Sequence, residues 1–261
     1  DCLECEPGES PEKVDGRVFN YDVPWLARQL GIAVDGDIAY VNNRFHVAAY
    51  NLANNGQRLW QSPPPPERGR THDWMLTAMR PVVAGERVYV RQLTKHGPIM
   101  MCLDRSNGQH VWTSQPPRGD ELISDPILSQ GKIHALVLRR TGRGNDQLHL
   151  VTHAVDTGEM LASHLLLEVR DVWRQRRACR ATQVADGLIA AVGGFVMNVD
   201  YSGIVRWVRK QVVLPSSQEP TWVTQRLDRP LVESGRVFVT SAGVRAVECI
   251  DVDTGRLNWR A

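Results

Sequence analysis

No apolar run in these 261 residues approaches the length needed to cross a bilayer, so no membrane span is expected. No strong charge bias is present either. The formal net charge is +2, which gives no reason to expect nucleic acid or another polyanion as a partner. Lysine is scarce, confined to Lys13, Lys95, Lys132 and Lys210, and arginine carries the basic character. Five cysteines are few and odd in number, which argues against a disulfide scaffold. The phosphate-cradling pattern GxxxxGK[ST] is missing. No nucleophile elbow, acid/base pair or metal motif stands out. No signal peptide is visible, and the chain opens on Asp1 without a Met. Apolar residues make up 42%, enough for a core, in a chain long enough for one large all-β domain or two smaller ones.

What the chain does have is a repeat. A turn glycine recurs at Gly56, Gly108, Gly158, Gly203 and Gly255, at separations of 52, 50, 45 and 52 residues. Four residues after each stand Trp60, Trp112, Ala162, Trp207 and Trp259. An earlier glycine precedes each turn, at Gly36, Gly85, Gly131, Gly187 and Gly235, and a short β-like run follows it. A period near 50 residues with several short strands per unit predicts a β-propeller of four-stranded antiparallel blades. About five blades are visible, over residues 32–62, 80–115, 124–169, 182–210 and 229–261, after a tail or linker at 1–31 in which Val14–Tyr21 could form a degenerate strand pair, from an incomplete preceding blade or as a closing strand. A tight antiparallel turn needs positive φ, which glycine adopts freely, and Asn107, Ser202 and Thr254 beside it can bond their own backbone. A lone sheet buries neither face, so a neighbouring blade must cover it, and a Trp at a fixed offset can fill that joint.

The units resemble the tryptophan-docked repeats of quinoprotein-type propellers, shared by PQQ-dependent alcohol dehydrogenases and the outer-membrane assembly lipoprotein of the Bam complex. The matching stretches are Cys102–Trp112, Asn198–Trp207 and Cys249–Trp259, with a weaker match at Ala49–Trp60, which has one extra residue before its glycine. Unit three keeps Ala154–Gly158 but has Ala162 in place of Trp. Relatives usually place a small buried residue where Cys102 and Cys249 stand, so both are expected in the core, unpaired. Relatives commonly close with eight blades. Five units ending inside a strand are therefore expected to be part of a longer propeller.

The candidate functional residues each have a plainer reading. Cys2 and Cys5 form a CxxC, but a zinc ribbon needs a second pair and haem attachment needs a following His; position 6 is Glu. His72 and Asp73 adjoin Trp74 with no nucleophile motif nearby. His149 and His153 would stand roughly 13 Å apart on one face of a strand, too far to share an ion. Pro116, Pro117, Gly119 and Asp120 read as a connector between blades. The hairpin Arg139–Gln147 is basic and Gly-rich. Arg170, Arg174, Arg176, Arg177 and Arg180 concentrate charge between units three and four, suited to an anion or acidic partner, or simply a solvated connector. Arg170, Arg174 and Arg177 would share a face if the segment made a helical turn.

The repeat-defining residues are structural, so the leading expectation is a non-catalytic interaction scaffold. Its partners would be other protein chains or further domains of the same polypeptide, and its place, by the resemblance, the periplasm or another extracytoplasmic compartment. No cofactor is expected under that reading. A second reading is part of a quinoprotein dehydrogenase, for which the resemblance implies PQQ, calcium, an Asp base, an adjacent cysteine pair and a stacking Trp. The chain has no Cys-Cys, and Trp173 or Trp222 could be nominated only by guesswork. A third is a sensory or carbohydrate-binding propeller, which would show Trp74 or Trp222 exposed on loops.

Overall fold

The structure, a computed structural model, describes residues 30–43, 46–62, 79–94, 97–117, 119–141, 145–170, 179–192, 194–211, 229–241 and 246–261. Among these the chain is all β, in five antiparallel sheets that form the blades of a propeller. Blade one is β1 (Gly31–Asp35), β2 (Ile38–Asn42), β3 (Val47–Asn51) and β4 (Gln57–Gln61). Blade two is β5 (Val82–Ala84), β6 (Arg87–Thr94), β7 (Gly97–Asp104) and β8 (His110–Ser114). Blade three has β9 (Asp120–Leu122), β10 (Ile127–Ser129), β11 (Lys132–Arg140), β12 (Asn145–Ala154) and β13 (Met160–Arg170). Blade four is β14 (Arg180–Val184), β15 (Gly187–Val192), β16 (Phe195–Asp200) and β17 (Val205–Lys210). Blade five is β18 (Leu231–Glu233), β19 (Arg236–Ser241), β20 (Ala246–Asp251) and β21 (Leu257–Arg260).

Strand alternation builds the joints. On β6, Val88 and Val90 pack toward blade one, while Tyr89 packs toward blade three. On β7, Ile99, Met101 and Leu103 face blade one, and Met100 and Cys102 face blade three. A blade with neighbours on both sides buries both faces, which is why residues 88–90 and 99–103 read as unbroken apolar runs. Leu188, Ala190 and Val192 of β15 join the core with blade three, and Ile189 and Ala191 the core with blade five. Four such cores join five blades.

One register break recurs. The last hairpin of each blade is bulged between Ala49 and Tyr50, Cys102 and Leu103, Thr152 and His153, Asn198 and Val199, and Cys249 and Ile250. The bulge absorbs the extra residue and re-aims the strand. The residue before it lies directly opposite the marker position: Ala49 opposite Trp60, Cys102 opposite Trp112, Asn198 opposite Trp207 and Cys249 opposite Trp259. Cys102 and Cys249 are buried and unpaired, and burial pushes the Cys102 thiol up to about 12.

Two expectations need correcting. Asp120 does not lie in a connector: β9 adds a fifth strand to blade three by pairing with β11, Arg139 against Asp120. Nor does Arg170 lie on a helical turn, since it ends β13, paired with Asn145. The aliphatic run Leu165–Leu167 continues the strand instead of leaving it.

Candidate functional site

Trp60 lies on Gly108 of blade two, Trp112 on Gly158 of blade three, and Trp207 on Gly255 of blade five. A Cβ at any of these glycines would come closer than 3.0 Å to the indole, so only glycine fits. Each indole Nε1–H also donates to a turn carbonyl of the next blade: Arg105 at 2.8 Å, Val155 at 3.0 Å and Val252 at 2.8 Å. An aromatic of its own blade braces the indole from behind, Tyr40 beside Trp60 and Tyr89 beside Trp112, each with ring centres 6.0 Å apart.

In blades two, four and five an Asp opens the turn and holds it closed. The Asp104 carboxylate accepts from Ser106 N at 2.9 Å, and that of Asp251 from Thr254 N at 2.8 Å and Oγ1 at 2.7 Å. The Ser106 hydroxyl bond, then its amide, lowers the Asp104 carboxyl below its usual range; Thr254 does the same for Asp251. Asp200 plays this part in blade four, where bonds from Ser202 and Ile204 outweigh the burial that would raise it.

The joint between blades three and four is built differently. Ala162 stands where the other blades have Trp, and His164, two residues on, fills the place against Gly203. His134 stacks on Tyr201 in the same joint, ring centres 4.2 Å apart, and its Nδ1 lies 3.1 Å from Thr152 Oγ1. The Gly203 turn is also one residue shorter, its amide bonding Asp200 O three residues back, where Gly108 reaches four back to Asp104. The period alone gave no sign of His164. The 45-residue spacing between Gly158 and Gly203 was the available clue.

Between blades two and three lies a cavity of about 160 Å3. Met100, Leu122, Val137 and Val151 form its apolar wall, and Ser114, His153, Asp120 and Arg139 its polar one. Ser, His and Asp in one cavity invite a hydrolytic reading, but the geometry rules against it. His153 Nδ1 stands 3.0 Å from Gly158 O, a carbonyl that only accepts, so this nitrogen carries the hydrogen. The Ser114 hydroxyl, 3.2 Å from the same nitrogen, therefore meets a donor and not a base. Burial lowers His153 below its ordinary value, the bond to Gly158 opposing, which keeps it neutral. The Asp120 carboxylate is held by both Arg139 Nε at 3.1 Å and Nη2 at 3.0 Å. It does not orient His153 as a triad acid would.

Met160 lines the same cavity and begins β13, the outer strand of blade three. The outer strands of the other blades, β4, β8, β17 and β21, have 5, 5, 6 and 4 residues; β13 has 11. No Asp, Glu, Lys or Arg occurs from Met160 to Leu167. Met160, Leu161 and Leu165 are 45%, 52% and 49% exposed.

Of the predicted arginine patch, the structure describes Arg170 and Arg180. Arg180 opens β14 and turns its Nη1 onto Cys179 O at 2.9 Å and Met79 Sδ at 3.7 Å, while Arg170 belongs to blade three. Arg174, Arg176 and Arg177 lie outside the described residues, as do Cys2, Cys5, His72, Asp73, Trp74, Trp173 and Trp222. Nearby, Asp125 of blade three pairs with Arg229 of blade five and accepts from Arg80 N at 3.1 Å. Burial first, and then the like charge of Arg80, lower Arg229 to about 10. His149 bonds Ser163 Oγ at 3.2 Å, and no His, Cys, Asp and Glu cluster able to hold a metal occurs among the described residues. Among the described residues no helix is long and apolar enough to cross a membrane.

Blades of this build, joined by indoles on turn glycines, define a propeller of the PQQ-like repeat class. A sequence-family model described as outer membrane protein assembly factor BamB matches residues 43–261. The chain belongs to that family. No curated protein matches it by sequence. Among solved structures, BamB from Moraxella catarrhalis is similar at 19% identity and a TM-score of 0.56, covering 89% of this chain and 60% of that one. A europium-containing methanol dehydrogenase is similar at 14% identity and TM-score 0.56, over 88% of this chain and 50% of the enzyme. The quinohemoprotein alcohol dehydrogenase from Comamonas testosteroni aligns at 14% identity and TM-score 0.58, over 88% and 42%. At these identities the likeness concerns the fold. The chain spans about three fifths of that BamB or less of the enzymes.

Proposed function

We propose that this chain is a non-catalytic propeller scaffold that binds other proteins in an extracytoplasmic compartment, the bacterial cell envelope. The observation that carries the reading is β13. A long edge strand, free of Asp, Glu, Lys and Arg from Met160 to Leu167 and with Met160, Leu161 and Leu165 exposed, offers its outer backbone donors and acceptors to an incoming strand. Membership of the BamB family supports the compartment and the class of partner. The commitment of His153 to Gly158 and of Asp120 to Arg139 argues against hydrolytic chemistry in the adjoining cavity.

Two experiments test it. A photo-crosslinking residue at Leu161 or Leu165, in the envelope of the native host, is expected to trap a discrete protein partner; the same residue at Leu59, on the short outer strand of blade one, is not. Incubation with PQQ and calcium is expected to give no alcohol-dependent dye reduction. Turnover in that assay would replace the scaffold reading with the dehydrogenase one.

A further inference from the structure

The cavity between blades two and three holds a residue that the repeat does not call for. The position just after the bulge is Leu103 in blade two, Val199 in blade four and Ile250 in blade five. Each is fully buried in the joint with the preceding blade. Blade three has His153 at that position. An aliphatic side chain fills the place elsewhere, so the fold has no need of an imidazole there. Burying one has a desolvation cost that hydrogen bonds must offset. A break of this kind in an otherwise consistent pattern is where function is expected.

Ser114 is turned toward the same point. Ser62 holds its place in blade one, two residues after Trp60, and accepts there from Val47 N of its own blade at 3.0 Å. Ser114, two residues after Trp112 and paired with Met100, reaches across the joint to His153 instead. The His153 Nδ1 hydrogen faces Gly158 O and Ser114 Oγ, so Nε2 is left an acceptor and the Ser114 hydroxyl hydrogen is left to donate. An acceptor and a donor therefore stand together against the buried apolar wall of Met100, Leu122, Val137 and Val151. Gln115, Pro117 and Met160 line the cavity too and are exposed, so it opens to solvent at this rim.

We propose that this cavity binds a small phenol, its ring among the four apolar side chains and its hydroxyl between His153 and Ser114. The volume of about 160 Å3 is close to that of an apolar cavity, about 150 Å3, that takes one benzene ring. Met100 and Met160 offer thioethers to an aromatic ring, a favourable contact that an aliphatic alcohol would forgo. A hydroxyl can donate to the imidazole and accept from the serine at once. A carboxylate suits the cavity less well, because Asp120 already holds Arg139. The site does not rest on the strand pairing assigned to β13, with which it shares only Met160 at the rim.

Calorimetric titration of the whole 261-residue chain with phenol tests this, with toluene as the like-shaped ligand that lacks the hydroxyl. Phenol is expected to bind saturably at one site. In NMR spectra of isotope-labelled methionine methyls it is expected to shift Met100 and Met160. Met197, buried in the joint between blades three and four, is expected to stay where it was. Ser114→Ala and His153→Leu each remove one bond to the hydroxyl, and each is expected to weaken phenol about three- to tenfold. Toluene is expected not to weaken in either. His153→Leu restores the aliphatic character of the other blades and Ser114→Ala removes a single oxygen, so the two variants test the same pair through independent changes. No saturable phenol binding, which would mean that the cavity holds only water, would overturn the proposal. So would phenol that shifts Met197 and not Met100, or that binds both variants as tightly as the parent chain.

Discussion

Trp112 donates its indole N–H to the carbonyl of Val155 at 3.0 Å while its ring lies on Gly158, three residues further along the same turn. One side chain thus fastens blade two to blade three by a hydrogen bond and by close apolar contact. Trp112→Ala removes both and leaves a cavity, and is expected to cost about 3–5 kcal/mol. Trp259→Ala, where the indole is 43% exposed, is expected to cost less than about 1 kcal/mol. Urea unfolding of the two variants measures the contrast; equal losses would mean that the joints do not carry the stability.

The glycines under the indoles differ from the other glycines of the repeat. Gly131 has a φ of 68° and Gly158 of 72°, so alanine at either suffers the left-handed strain, roughly 1–2 kcal/mol. A Cβ at Gly131 meets nothing within 4 Å, whereas at Gly158 it collides with Trp112. Gly158→Ala is therefore expected to lower the unfolding midpoint well beyond Gly131→Ala. It is also expected to red-shift tryptophan emission as the indole is displaced, which Gly131→Ala is not.

These joints were legible in the sequence because their chemistry is local. A turn that needs positive φ needs glycine, and an indole four residues on leaves a spaced mark. His164 left no such mark. It replaces a Trp from two positions away, against a turn of the next blade that is one residue shorter. Strand β9 was hidden for a related reason: Gly119 and Asp120 look like turn residues, and the pairing of Asp120 with Arg139 depends on β11 running out to Arg140. The long edge of β13 was masked by the arginines that follow it, which drew the reading toward a connector.

The joint between blades three and four, lacking an indole, is expected to be the weakest of the four. His164→Ala should cost about 1–2 kcal/mol, less than Trp112→Ala, because a smaller ring is lost and Ala162 already leaves the site less filled. Hydrogen exchange is expected to show lower protection for β13 and β14 than for β7 and β11. Uniform protection across these strands would contradict the expectation.

Acid should loosen the molecule in two separate windows, and the histidines set the first. Burial, with the like charge of Lys132 second, lowers His134 to about 4, and burial also lowers His149 and His153. In the unfolded chain a histidine takes its proton near 6.5. Between about 6.5 and about 4 the unfolded state therefore binds more protons than the folded one, so stability falls as pH falls. Asp104 and Asp251 act lower down. Their carboxyls are depressed in the folded state, so their contribution is present above the ordinary carboxylate value near 4 and is lost below it. The urea midpoint is thus expected to decline from pH 7 to pH 5 and to decline again below pH 4. His134→Gln keeps a polar group beside Thr152 but cannot titrate, and should flatten the first decline while leaving the second. A midpoint constant from pH 7 to pH 5 would show that these histidines accept protons as readily in the folded chain as in the unfolded one.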